Sequence, residues 1–168
     1  MLRVLIVSFL FSELLLSKSE TQFPFIGLSV SSQNMDMDLD ELEKERSFIL
    51  KYGKQTLDWR TTFSYTYTQN AYQSIAIEVD KILLDNLFGT PKLRPYLGAV
   101  AGYMKFDDKQ LDKRYDNYKS AYYGANFGFI IYATDNIDID LGYHYYYVND
   151  LDFLDNIHGA TFAIHYFF

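Results

Sequence analysis

The residues best equipped for chemistry are carboxylates, cations and histidines placed two apart. Glu78 and Asp80 form one such pair, Asp138 and Asp140 another, and Lys51, Arg60, Arg94 and His165 supply positive or titratable partners. In an extended chain, residues two apart point to the same side. Each acidic pair therefore faces one way, and cations on neighbouring segments can meet it. Charges turned away from water must pair, because an unpaired buried charge is costly. The chemistry expected is ion pairing, with Lys51 and Arg60 bridging the carboxylates, Arg60 near Asp80 and His165 near Asp140. Such a polar plug either fills an interior or gates it for small ions.

Catalysis has less to stand on. His144, His158 and His165 have no Ser or Cys nucleophile at a suggestive spacing, and His144 lies among Tyr143, Tyr145, Tyr146 and Tyr147. That setting suits an aromatic girdle better than an acid–base pair, so no catalytic residue is assigned. Asp36, Asp38 and Asp40 copy the first three ligand positions of a calcium loop. Glu41 stands where that loop needs Gly, and Ser47 where it needs Glu. A solvated acidic loop is expected instead, with neither metal nor cofactor.

Strands must position these side chains, since the chain breaks into eight runs of two-residue alternation. Phe25 to Ser31 sets Ile26, Leu28 and Val30 opposite Gly27 and Ser29; Phe48 to Lys54 sets Phe48, Leu50 and Tyr52 opposite Lys51 and Gly53. The run from Trp59 to Thr68 is the cleanest, with Trp59, Thr61, Phe63, Tyr65 and Tyr67 against Arg60, Thr62, Ser64, Thr66 and Thr68. Ser74 to Leu83, Leu93 to Lys105, Ala121 to Ala133 and Ile137 to Val148 follow the same rule. In the last run, Ala160, Phe162, Ile164 and Tyr166 alternate with Thr161, Ala163, His165 and Phe167, and Phe168 ends the chain.

The polar faces are Ser, Thr, Gly and a few charges, too small and sparse for a solvated exterior. The apolar faces are bulky and rich in Tyr, which suits lipid outside and a narrow polar lumen inside. A soluble lipocalin-like carrier would invert these faces and remains the alternative. Connections near 34–46, 69–73, 106–120 and 149–156 tend to be longer than those near 55–58, 84–92 and 134–136. Long outer loops and short periplasmic turns are the habit of membrane barrels.

Composition agrees. At 168 residues there is room for one domain, and 49% hydrophobic content coexists with a slightly negative mean hydropathy, as alternation requires. The chain has 16 Tyr and 14 Phe but one Trp, and no Cys, which excludes disulfides and thiolate metal sites. A net charge of −7 argues against a nucleic-acid partner. Arg3, the apolar stretch from Val4 to Leu16 and Ser17 to Ser19 match a secretory signal peptide cleaved before Glu20. Residues 1–19 are therefore expected to be the signal and 20–168 the barrel domain.

The alternating pattern over 23–168, the final aromatic strand and the run from Arg94 to Tyr103 (Arg-Pro-Tyr-Leu-Gly-Ala-Val-Ala-Gly-Tyr) together resemble the small eight-stranded outer-membrane β-barrels of the OmpA type. Val100 departs from that family's strand, where a small Gly is usual. The resemblance implies an all-β, eight-stranded antiparallel up-and-down transmembrane barrel in a bacterial outer membrane. It also implies that Phe162, Ile164, Tyr166 and Phe168 act as the signal read by the barrel-assembly machinery. The expected partners are that machinery and the lipid bilayer, with the chain acting as a monomer. The role expected is a non-enzymatic structural or surface protein whose charged loops meet a partner. A narrow channel through the polar interior is the alternative.

Overall fold

A computed structural model describes residues 21–37, 43–69, 71–83, 89–106, 118–149, 151 and 154–168. The expected signal segment, most of 106–120 and Asp38, Asp40 and Glu41 of the acidic loop lie outside the described residues. Eight strands follow in chain order: β1 (Phe23–Met37), β2 (Glu43–Gln55), β3 (Trp59–Thr68), β4 (Tyr72–Ile82), β5 (Leu93–Phe106), β6 (Lys119–Tyr132), β7 (Ile137–Val148) and β8 (Leu154–Phe167). Each strand pairs antiparallel with its sequence neighbours, and β8 returns to β1, so the sheet closes as an up-and-down barrel.

All eight alternating runs are strands, and β1, β2 and β8 extend well past their apolar stretches. Their added residues, such as Ser32 to Asp36 and Lys44 to Ser47, are mostly polar, so hydrophobic alternation cannot flag them. Backbone pairing continues through them regardless, with Gln33 opposite Glu45 on one side and Gly159 on the other. A shift in register between Asp36 and Met37 marks the end of the regular ladder.

The faces divide as the alternation implies. Leu28 is 69% exposed, and Ile26, Leu50, Phe63, Ile77, Leu97, Phe127, Leu141 and Ile164 also point outward. The inward set is Ser, Thr, Gly, charged residues and a few large rings. Water does not tolerate an apolar surface that encircles the whole molecule. Hydrocarbon does, provided every backbone group is paired within the sheet, and closure achieves that. Ten residues of β3, the shortest strand, rise about 25 Å at the usual tilt, enough for the apolar thickness of such a barrel.

Within the lumen, side chains stack in layers. At the end carrying the β1–β2, β3–β4, β5–β6 and β7–β8 connections (the loop end), Met35, Met104, Phe106, Leu154 and Ile157 form an apolar cluster with Tyr72 and Tyr122. At the opposite, turn end, Ile82, Tyr96 and Ile130 form a smaller one against Tyr132. Val100 points inward and joins the first cluster, beside Ala76 and Met104. Replacing Leu28 by Arg on the outer face is expected to destabilise the barrel in lipid by roughly 2–4 kcal/mol. Urea unfolding in vesicles measures this, and an unchanged midpoint would remove the lipid-facing assignment.

Candidate functional site

Between the two apolar clusters lies a band of charges. Arg60 enters it because β3 alternates strictly, and its guanidinium is 2% exposed. Its Nε donates to Asp80 Oδ2 at 3.0 Å and its Nη2 to Asp140 Oδ2 at 2.6 Å. Asp80 is the direct cross-strand partner of Arg60, whereas Asp140 reaches it across the lumen from β7. The guanidinium also lies over the Tyr96 ring, 4.9 Å from its centroid, and the Tyr96 hydroxyl donates to Asp140 Oδ1 at 2.8 Å. One cation, two carboxylates and one phenol thus tie β3, β4, β5 and β7 together.

Lys51 on β2 makes a second link, with Nζ 3.3 Å from Glu78 Oε2. Asn126 on β6 approaches the same oxygen through its amide nitrogen at 3.5 Å. His165 departs from expectation. Its Nδ1 sits 2.7 Å from Asp138 Oδ1, and Asp140 is not its partner. Register explains the difference: Asp138 lies directly opposite His165, whereas Asp140 faces Ala163. The imidazole packs against Phe25, 4.8 Å between centroids, in space that a Cβ on Gly27 would close.

Arg94 is also placed differently, at the turn end and apart from the Arg60 cluster. Its Nη1 donates to the Leu57 carbonyl at 2.6 Å, and its Nη2 lies 3.9 Å from Asp58. It borders an open recess of about 410 Å³ with Phe23, Gln55, Tyr132 and Phe167. The plug proper therefore comprises Lys51, Arg60, Glu78, Asp80 and Asp140, with Asp138 and His165 adjoining it.

Tyr96, Gln33, Tyr72 and Tyr122 belong to the interior as much as the charges do, although the sequence pattern does not single them out, and Asn126 joins them on the polar face of its run. The Tyr72 hydroxyl donates to Gln33 Oε1 at 2.5 Å, and Ser47 Oγ donates to the same oxygen at 3.0 Å. Ser74 and Tyr122 share a hydrogen bond of 3.2 Å. The signal for them was parity, because Tyr96 shares the side of Gly98 and Val100 in its run. Tyr is as much at home in a membrane girdle as in a lumen, so residue type concealed it.

The three histidines occupy separate places. His144 faces inward, stacked on Tyr146 at 4.6 Å with Nδ1 3.1 Å from Thr161 Oγ1. His158 meets the Tyr143 hydroxyl at 2.6 Å on the outer side, and His165 lies in the lumen. Among the described residues no three His, Asp or Glu side chains are grouped to hold a metal. Asp36, the described member of the acidic triplet, accepts a hydrogen bond from Asn156 at 3.1 Å. On β8, Phe162, Ile164 and Tyr166 point outward, and Phe168 just beyond it is exposed as well.

Among the described residues, a cavity of about 20 Å³ is bordered by Lys51, Glu78, Asn126, His144 and Tyr146. That is room for about one water molecule. The arrangement can hold charge and exclude bulk water. Replacing Arg60 by Ala leaves the buried Asp80 and Asp140 carboxyls without the cation they share and is expected to cost roughly 3–5 kcal/mol. Equilibrium unfolding in vesicles measures the loss; a change under about 1 kcal/mol would mean that the pair contributes nothing net.

No protein-family model and no curated protein sequence matches the chain. Solved structures do. Neisserial surface protein A is 18% identical, with a TM-score of 0.66, over 89% of this chain and 100% of that one. Outer membrane protein H (OprH) of P. aeruginosa is 18% identical, with a TM-score of 0.65, over 87% and 99%. Ail, the attachment invasion locus protein of Yersinia pestis, is 21% identical, with a TM-score of 0.57, over 89% and 99%. At these identities the likeness is one of architecture, and the chain has the fold of the small eight-stranded outer-membrane β-barrels.

Proposed function

We propose that the protein is a structural and surface component of a bacterial outer membrane, a sealed barrel that carries charged loops into the surroundings. The observation that supports this most directly is the combination of an apolar outer belt with an interior in which paired charges lie between two apolar clusters. Arg60 with its two carboxylates closes the middle, and apolar side chains close both sides of it. An interior of that kind favours a scaffold over a conduit. It also counts against a lipocalin-like carrier, which needs an apolar cavity inside and polar side chains outside.

In this reading residues 1–19 direct export and are removed, and 20–168 form the barrel. The loop end faces outward, and the outward aromatics of β8 are what the assembly machinery recognises. Loop-borne contacts are the function of the exposed part. The Neisserial relative is by name a surface protein and Ail an attachment protein, and Ail has also been solved with a heparin analogue. A polyanion suits the present chain less well, because its net charge is −7 and the segment around Asp36 to Glu45 is strongly acidic. A partner with a cationic surface fits better.

The narrow channel is the second reading, carried by the polar character of the plug. Planar-bilayer recording separates the two. The intact barrel is expected to show no steady conductance, and Arg60→Ala none or brief flickers; steady single-channel steps from the intact protein would replace the scaffold with a channel. Gel migration tests the membrane assignment. Protein from an outer-membrane fraction is expected to run faster unheated than boiled, and a soluble periplasmic protein without that shift would restore the carrier reading.

A further inference from the structure

Asn126 stands between the two carboxylates of β4. Its Nδ2 approaches Glu78 Oε2, while Asn126 Oδ1 has no hydrogen-bond partner among the described residues. Asp80 Oδ1 is in the same condition, although Asp80 Oδ2 accepts from Arg60. Both bare oxygens converge over Gly98 on β5, where a single added Cβ would strike the two together. Asp80 is wholly buried and Asn126 nearly so. Two acceptors thus converge on one spot in a buried interior, and among the described residues no side-chain or backbone donor meets either of them.

Turning the amide over does not repair this. An amide has one donating and one accepting end. Reversed, its nitrogen would satisfy Asp80 and its oxygen would confront Glu78. As Asn126 stands, a hydrogen carried by one of the flanking carboxyls resolves the clash. The distribution of cations decides which. Lys51 is within bonding distance of Glu78 alone, whereas Arg60 is divided between Asp80 and Asp140, and Asp140 also accepts from Tyr96.

We propose that Asp80 is a proton-binding site, held as the neutral acid with its Oδ1–H donating to Asn126 Oδ1. Asn126 then passes the chain on to Glu78 through its Nδ2. The groups facing Asp80 are Lys51 from β2, Arg60 from β3, Glu78 from its own strand, Tyr96 from β5, Asn126 from β6 and Asp140 from β7. With the proton in place, Lys51 balances Glu78 and Arg60 balances Asp140, so this cluster carries no net charge. Without it, one negative charge is stranded in a lumen ringed by lipid. The barrel therefore takes up a proton as it folds and keeps it at neutral pH.

Infrared spectroscopy tests this on the full barrel refolded into lipid vesicles, with its aspartate carboxyls labelled with carbon-13. At neutral pH the wild type is expected to show a label-shifted carboxylic-acid C=O band that moves in heavy water and disappears in Asp80→Asn. Absence of the band from the wild type overturns the proposal, as does its survival in Asp80→Asn. Should that variant fail to fold, the wild-type spectrum still decides, because no acid band means no proton. Unfolding rates give a second reading. Asp80→Asn supplies an N–H where the acid supplied O–H, so its rate is expected to stay near wild type, while Asp140→Asn unfolds roughly 100-fold faster. Equal acceleration of both variants overturns the assignment. So does a dependence of wild-type unfolding on sodium that Asp80→Asn abolishes, since that would put a metal cation where the proton is proposed.

Discussion

A ring of eight antiparallel strands leaves a lumen only as wide as the side chains that fill it. Everything turned inward must find its partners among other inward residues, and this constraint organises the molecule. Arg60 meets it by bonding two carboxylates and covering the Tyr96 ring. Glu78 meets it through Lys51 and Asn126, and Asp138 through His165. Small residues are the other half of the solution, because Gly98 leaves the space in which Asp80 and Asn126 converge.

The two faces of the barrel face different tests. Outside, a residue need only be apolar and of suitable bulk for lipid, so Leu28, Leu50 and Ile164 have no specific partner to satisfy. Inside, the charged groups of the plug have particular counterparts, and a one-residue slip in register would exchange the two sets completely. The hydrogen bonds of Gln33 with Ser47 and Tyr72, near the loop end, and of Arg60 with Asp80 and Asp140, deeper down, therefore pin the register at two heights. Closure of β8 onto β1, with Leu28 opposite Ile164, transmits that register around the ring.

The fold was legible in the sequence because alternation with a period of two leaves few other readings once it recurs eight times. Strand ends were less legible. Beyond the apolar belt the ladder runs on through Ser32 to Asp36 and Lys44 to Ser47, where backbone pairing rather than hydrophobicity sets the limit. The plug was partly legible. Adjacent strands across a short connection fix the pairing of Arg60 with Asp80, but the reach of Arg60 to Asp140 spans the lumen and depends on how the ring closes. Parity gives a side chain's face and leaves its height undetermined, so sequence points His165 toward Asp140 whereas the register sets it opposite Asp138. Tyr96 and Tyr122 are not legible as lumen residues, because among sixteen tyrosines any one of them looks like part of a girdle.

The unequal lengths of β2 and β3 have a consequence outside the membrane. The ladder between them ends at Ser47 opposite Thr68, yet β2 runs on to Glu43, still paired with β1 on its other side. From Lys44 to Arg46 the strand has no ladder partner on the β3 side among the described residues. A bare sheet edge of that kind would recruit a strand from a neighbouring molecule. Lys44, Glu45 and Arg46 occupy it with three consecutive charges of alternating sign, the means by which soluble β-proteins discourage edge-to-edge aggregation. The barrel has no edge within its closed ring, and at the one place where β2 outgrows its neighbour it carries its own protection against pairing with a stranger.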